Sequence, residues 1–112
     1  MKEFLVTYHQ SASFYEKMKT TSPEERQKIM QSWMSWIQEN KNNFVDFRNP
    51  LTNGKSLSKD GVSHSNKGFG GYFIFQAESI DEAVSLLQNH PHLLSDDSCS
   101  LEIHETMPMP KM

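Results

Sequence analysis

Residues 70–110, GGYFIFQAESIDEAVSLLQNHPHLLSDDSCSLEIHETMPMP, constrain the fold more than any other part of the chain. Two glycines lead into Tyr72-Phe73-Ile74-Phe75, an aromatic and β-branched run that predicts a strand over Gly71 to Ala77. Ser79-Ile80-Asp81-Glu82 is a capping box, in which the serine oxygen and the glutamate carboxylate satisfy the first free amides of a helix. Ile80, Ala83, Val84 and Leu87 then recur at helical spacing, and Pro91 stops the helix because it offers no amide hydrogen. From Cys99 to Glu105 the pattern changes period. Leu101 and Ile103 alternate with Glu102 and His104, as a strand with one dry face requires.

The first half repeats this order. Phe4 to Tyr8 (FLVTY) predicts a strand, and residues 10–21 read as a loop with one helical turn held down by Phe14, Tyr15 and Met18. Ser22-Pro23-Glu24-Glu25 opens a helix with a cap, a proline at its first position and two acids at the positive end of its dipole. Ile29, Trp33, Trp36 and Ile37 form its stripe, widened by Met30 and Met34, and the run NKNN ends it. Phe44 to Arg48 predicts a second strand, stopped by Asn49-Pro50. Residues 51–69 carry turn signals at Asn53-Gly54 and Asp60-Gly61 and read as an irregular loop or a hairpin insertion, with pairing at Lys55 to Leu57 and Val62 to His64. Two strand-helix-strand units in succession give an α+β, ferredoxin-like β-α-β-β-α-β domain over residues 1–112, with a four-stranded antiparallel sheet and a C-terminal arm at 106–112.

Helices on one side leave the other side of that sheet uncovered. Tyr72-Phe73-Ile74-Phe75 and Phe4-Leu5-Val6 are apolar on both faces, so the second face predicts a homodimer, unless the loop at 51–69 folds over it. Net charge of -3, with no cluster of lysine and arginine, argues against a nucleic-acid or anionic-membrane partner. Cys99 is the single cysteine, so no internal disulfide forms. With no signal-like or membrane-spanning run at the N-terminus, a cytoplasmic location is expected.

The opening MKEFLVTYHQ, the helix SPEERQKIMQSWMSWIQE, the strand NNFVDFRNPL, the pair Asp60-Gly61, the block GGYFIFQAESIDEAVSLLQNHPHL and the ending EIHETMPMP together resemble the YCII-related proteins. That resemblance implies a dimeric α/β barrel with one cleft per subunit. In family members discussed as enzymes it also implies an active pair of a first-helix histidine and an aspartate. Here no histidine lies between Ser22 and Asn40, and Asp60-Gly61 runs into Val62-Ser63 rather than Pro-Phe.

Candidate site residues follow from their chemistry. Asp46 is a carboxylate inside an apolar strand: buried, it needs a partner such as Arg48 or a raised pKa, and on an edge face it simply meets water. His9 follows the first strand, and the ordinary chemistry of an imidazole suits proton transfer, so it is either a proton-transfer group or a solvated strand boundary. Asp46 and His9 are the catalytic candidates; Arg48, Trp33, Tyr72 and His104 are the substrate-binding ones. His90-Pro91-His92, with Asp96 and Asp97 nearby, lacks the spacing of a metal site and fits a helix stop. No phosphate cradle, nucleophile elbow or cofactor motif is present, so no cofactor is expected. Two functions remain compatible: binding of a small organic molecule between sheet and helices with acid-base chemistry that uses no cofactor, or a non-catalytic ligand-sensing or protein-interaction module.

Overall fold

The computed structural model describes residues 1–47, 50–51, 54–64 and 68–109. Arg48, the Asn49 strand stop, the turn residue Asn53 and the end of the C-terminal arm lie outside them. The elements run β1 (Lys2–His9), α1 (Ala12–Lys19), α2 (Pro23–Glu39), β2 (Phe44–Phe47), β3 (Lys55–Ser58), β4 (Gly61–His64), β5 (Phe69–Ala77), α3 (Ile80–Leu87) and β6 (Ser100–Glu105). The main sheet has the order β2-β5-β1-β6 with every neighbouring pair antiparallel, the expected ferredoxin-like arrangement.

One expectation needs correction. Residues 12–19 form a full helix, α1, rather than a loop with a single turn. The Ser11 hydroxyl accepts from the Phe14 amide at 3.1 Å, and Lys17 and Lys19 sit at the negative end of the dipole. Both ends of α1 are tied to the rest of the chain. The Ser11 amide donates to Ser98 Oγ at 3.1 Å, and Arg26 Nη2 donates to the carbonyl of Lys19 at 2.9 Å.

The caps of the other two helices form at the predicted serines. Ser22 Oγ accepts from the Glu25 amide, and Ser79 Oγ from the Glu82 amide. Residues 55–64 fold as the hairpin β3–β4, with Leu57 opposite Val62.

Strand alternation sorts the sheet into two faces. Phe4, Val6 and Tyr8 of β1 and Phe73, Phe75 and Ala77 of β5 point to the helix side and are buried. Ala83 and Leu87 of α3 and Trp36 of α2 cover them. Leu5, Thr7 and His9 of β1 alternate to the other face, as do Tyr72, Ile74 and Gln76 of β5. Most of these side chains are half-buried, and Thr7 is buried. Among the described residues, no helix is long and apolar enough to cross a membrane.

Candidate functional site

A cleft of about 570 Å³ opens between the α1–α2 arm and the end of the sheet where β1 gives way to α1. It exists because α2 does not lie flat on the sheet. Of its 17 residues only Trp36 is buried, so the N-terminal half of the helix stands away from the strands. Met18, Ile29, Met30 and Trp33 supply apolar wall from the arm, and Tyr8, Gly70 and Gly71 supply it from the sheet. Among the described residues the polar groups in the wall are few: Gln10, Arg26, His92 and Ser95 beside the tyrosines. Gly68 shapes the sheet end of this region. Its φ of +66° and its close approach to the Gln10 backbone leave no room for a side chain there, and its carbonyl accepts from the Gln10 amide at 3.0 Å.

Behind the cleft lies a cluster of rings. Tyr8 is 5.2 Å from Trp33, and 5.1 Å from both His90 and His92, centroid to centroid. His90 is fully buried, with Trp33 edge-on at 4.7 Å and Trp36 tilted against it at 4.4 Å. Its nitrogens are both engaged: Nε2 is 2.8 Å from the Tyr8 hydroxyl, and Nδ1 accepts from the amide of His92 at 3.0 Å. His92 Nε2 donates to the carbonyl of His9 at 3.0 Å.

Burial dominates the electrostatics. It pushes His90 down to about 3, with nearby His92 adding a smaller effect in the same direction, so the imidazole is neutral. His92 is also lowered, chiefly by burial, against the opposing pull of the backbone carbonyls it meets. Burial raises Tyr8 well above its ordinary value, so it stays a protonated phenol. The indole Nε1 of Trp36 is buried and, among the described residues, has no hydrogen-bond partner. Cys99 is buried and its thiol is raised by desolvation first and by Asp96 second, an unreactive setting.

The residues singled out from sequence separate into two groups. Trp33 lines the cleft, and Tyr72 borders it where β5 enters the wall, although its side chain alternates to the uncovered face. Asp46, His9 and His104 do neither. Asp46 pairs with Ile74, Ile74 with Leu5, and Leu5 with His104, so one row crosses the uncovered face of the sheet from edge to edge. His9 lies four residues further along β1, where its Nε2 is 2.7 Å from Thr7 Oγ1. With about 4.8 Å between strands and about 3.4 Å per residue, Asp46 and His9 stand roughly 17 Å apart on the sheet. The structure therefore does not bring them together within one chain.

Sequence pattern does not single out Tyr8, and it presents His90 and His92 as parts of a helix stop. One signal for Tyr8 was available: it shares the parity of Phe4 and Val6 and so had to face inward. Among the described residues no group of histidine, cysteine and carboxylate side chains is placed to hold a metal ion.

Comparison with known proteins adds a family. A profile of the YCII-related domain matches residues 1–106. No curated protein matches the chain. Among solved structures the chain is similar to 5-chloro-2-hydroxyhydroquinone dehydrochlorinase from Burkholderia phenoliruptrix AC1100, determined in complex with 2,5-dihydroxybenzoquinone. The identity is 18% and the TM-score 0.44, over 89% of this chain and 90% of that one.

Proposed function

We propose that this chain, which belongs to the YCII-related family, binds a small, largely apolar organic molecule in the cleft between its α1–α2 arm and its sheet. The cleft itself carries the reading. It has the size of a small-ligand site, an apolar wall rich in aromatic and methionine side chains, and a handful of polar groups to fix orientation. Trp33 acts as contact surface, Arg26 attracts negative charge on the ligand, and His92 and Tyr8 supply the polar end.

Amide chemical-shift mapping with a set of small aromatic compounds tests this. Saturable shifts at Tyr8, Ile29, Trp33 and Gly70 are expected. Shifts clustered instead on Leu5, Ile74 and His104 would assign the ligand to the other face of the sheet and reject the reading.

A homodimer accompanies this proposal. The chain exposes 8636 Å², whereas a compact monomer of its mass exposes about 6,300 Å². Its radius of gyration is 15.8 Å, against about 13 Å for a compact domain of this length. The surplus is of the order that a stable dimer hides. The uncovered row of Ile74 and Leu5 and the exposed pair Leu57 and Val62 are the apolar surface a second copy would bury. Sedimentation velocity at micromolar concentration is expected to give twice the chain mass, and Ile74→Asp to halve it. A stable wild-type monomer would reject the dimer.

A further inference from the structure

We infer that the Tyr8 hydroxyl is a one-way hydrogen-bond donor to the cleft, so that the ligand presents an acceptor oxygen there that carries or develops negative charge. The inference rests on the cleft reading and adds the polarity of the contact that Tyr8 offers in its wall.

The polarity follows from proton counting. His90 Nδ1 accepts from the His92 amide, and a backbone amide can only donate. Nδ1 therefore holds no proton, and the neutral imidazole carries its single proton on Nε2. That nitrogen, 2.8 Å from the phenol oxygen, must donate to it. The reverse arrangement, with tyrosine donating, would leave both ring nitrogens bare and require an imidazolate. An imidazolium would set an Nδ1 proton against the His92 amide in a fully buried ring. The backbone turn at His90-Pro91-His92 thus fixes the tautomer, and the tautomer fixes the direction of the Tyr8 contact.

The phenol oxygen has accepted, and its own proton remains to be placed. Among the described residues His90 is the one hydrogen-bonding partner of the Tyr8 hydroxyl, so that proton has no protein acceptor. Burial keeps the phenol neutral, so Tyr8 cannot serve as a base. What it can do is hold an oxygen: a carbonyl, enolate or phenolate. Arg26, in the same cleft wall, adds positive charge and favours the anionic members of that class.

The test compares 4-nitrophenol with 4-nitrotoluene, two probes of similar shape of which only the first can offer a phenolate oxygen. Tryptophan fluorescence gives affinities and visible absorbance gives the ionisation midpoint of the bound phenol. Wild type is expected to bind 4-nitrophenolate about tenfold more tightly than 4-nitrotoluene, the size of one charge-assisted hydrogen bond. In Tyr8→Phe that preference should vanish, 4-nitrotoluene affinity should stay within about twofold, and the midpoint of the bound phenol should rise by about one pH unit.

A preference that survives Tyr8→Phe, or an equal loss for both probes, overturns the inference. Equal binding of the two probes by wild type overturns it and leaves the cleft reading standing, whereas binding of neither overturns both. Should Tyr8→Phe fail to fold, nitrogen-15 shifts of the wild-type histidines decide. A protonated Nε2 at His90 supports the inference, and a protonated Nδ1 overturns it.

Discussion

The two principal helices are held to the same sheet in different ways. Helix α3 has 8 residues and buries Ala83 and Leu87 directly on the strands; α2 has 17 and buries only Trp36. Met30 and Met34, which extend the apolar stripe of α2, are 61% and 57% exposed. The short helix is a lid on the core. The long one is a lever held at one point, and the space under its free half is the cleft. Length and amphipathic stripe were therefore poor guides to how much a helix contributes to the core; where its stripe meets the sheet decided it.

The contrast can be broken most easily at the anchor. Trp36→Ala is expected to cost about 4 kcal/mol in urea denaturation, because it removes the one buried side chain of α2 and one wall around His90. Leu87→Ala in α3 should cost about 3 kcal/mol by the same route. Met34→Ala should stay within about 0.5 kcal/mol in the monomer. A loss at Met34 as large as that at Leu87 would mean that α2 is covered by something outside the chain, and the lever description would fail.

Acid sharpens the comparison, because α2 packs its two tryptophans against a buried histidine. Unfolded, His90 takes up a proton near 6.5; folded, only near about 3. Between those values the unfolded state binds more protons. The contribution is fully present above pH 6.5 and declines as pH falls toward 3, by about 1.4 kcal/mol per unit. Stability measured by denaturation should thus drop by about 2 kcal/mol between pH 7 and pH 5. His90→Gln should remove the His90 share of that slope and leave the smaller share of His92, which burial also lowers. A flat profile in wild type would show that His90 is not buried as described.

The smallest expected difference lies at the caps. Ser22→Ala and Ser79→Ala each remove one bond to a helix amide, worth about 1 kcal/mol. Thermal melts should register Ser79→Ala in full, since α3 unfolds only with the core. Ser22→Ala should be seen mainly as faster amide exchange at the start of α2, where the helix can fray alone. Equal effects on the melting temperature would argue that the two helices are locked to the sheet alike.

What the sequence determined by itself was everything written in near-neighbour spacing. The caps at Ser22 and Ser79, the stop at Pro91, the alternation of Phe4, Val6 and Tyr8 and of Leu101 and Ile103, and the order of the strands all follow from patterns a few residues long. Helix α1 was missed because its cap, Ser11, sits among other serines and threonines and its stripe is short, so the local signal was weak.

The candidate site was legible only in part. Trp33 and Tyr72 line or border the candidate cleft, but Asp46 and His9 are joined only by chemical type, and strand order and register reveal that another strand and four residues separate them. The contact of Tyr8 with His90 spans 82 positions of sequence. Its direction depends on a third group, the His92 amide. No spacing rule reaches that far. Such a contact exists only once the sheet has fixed where β1 ends and the turn after α3 has returned to meet it.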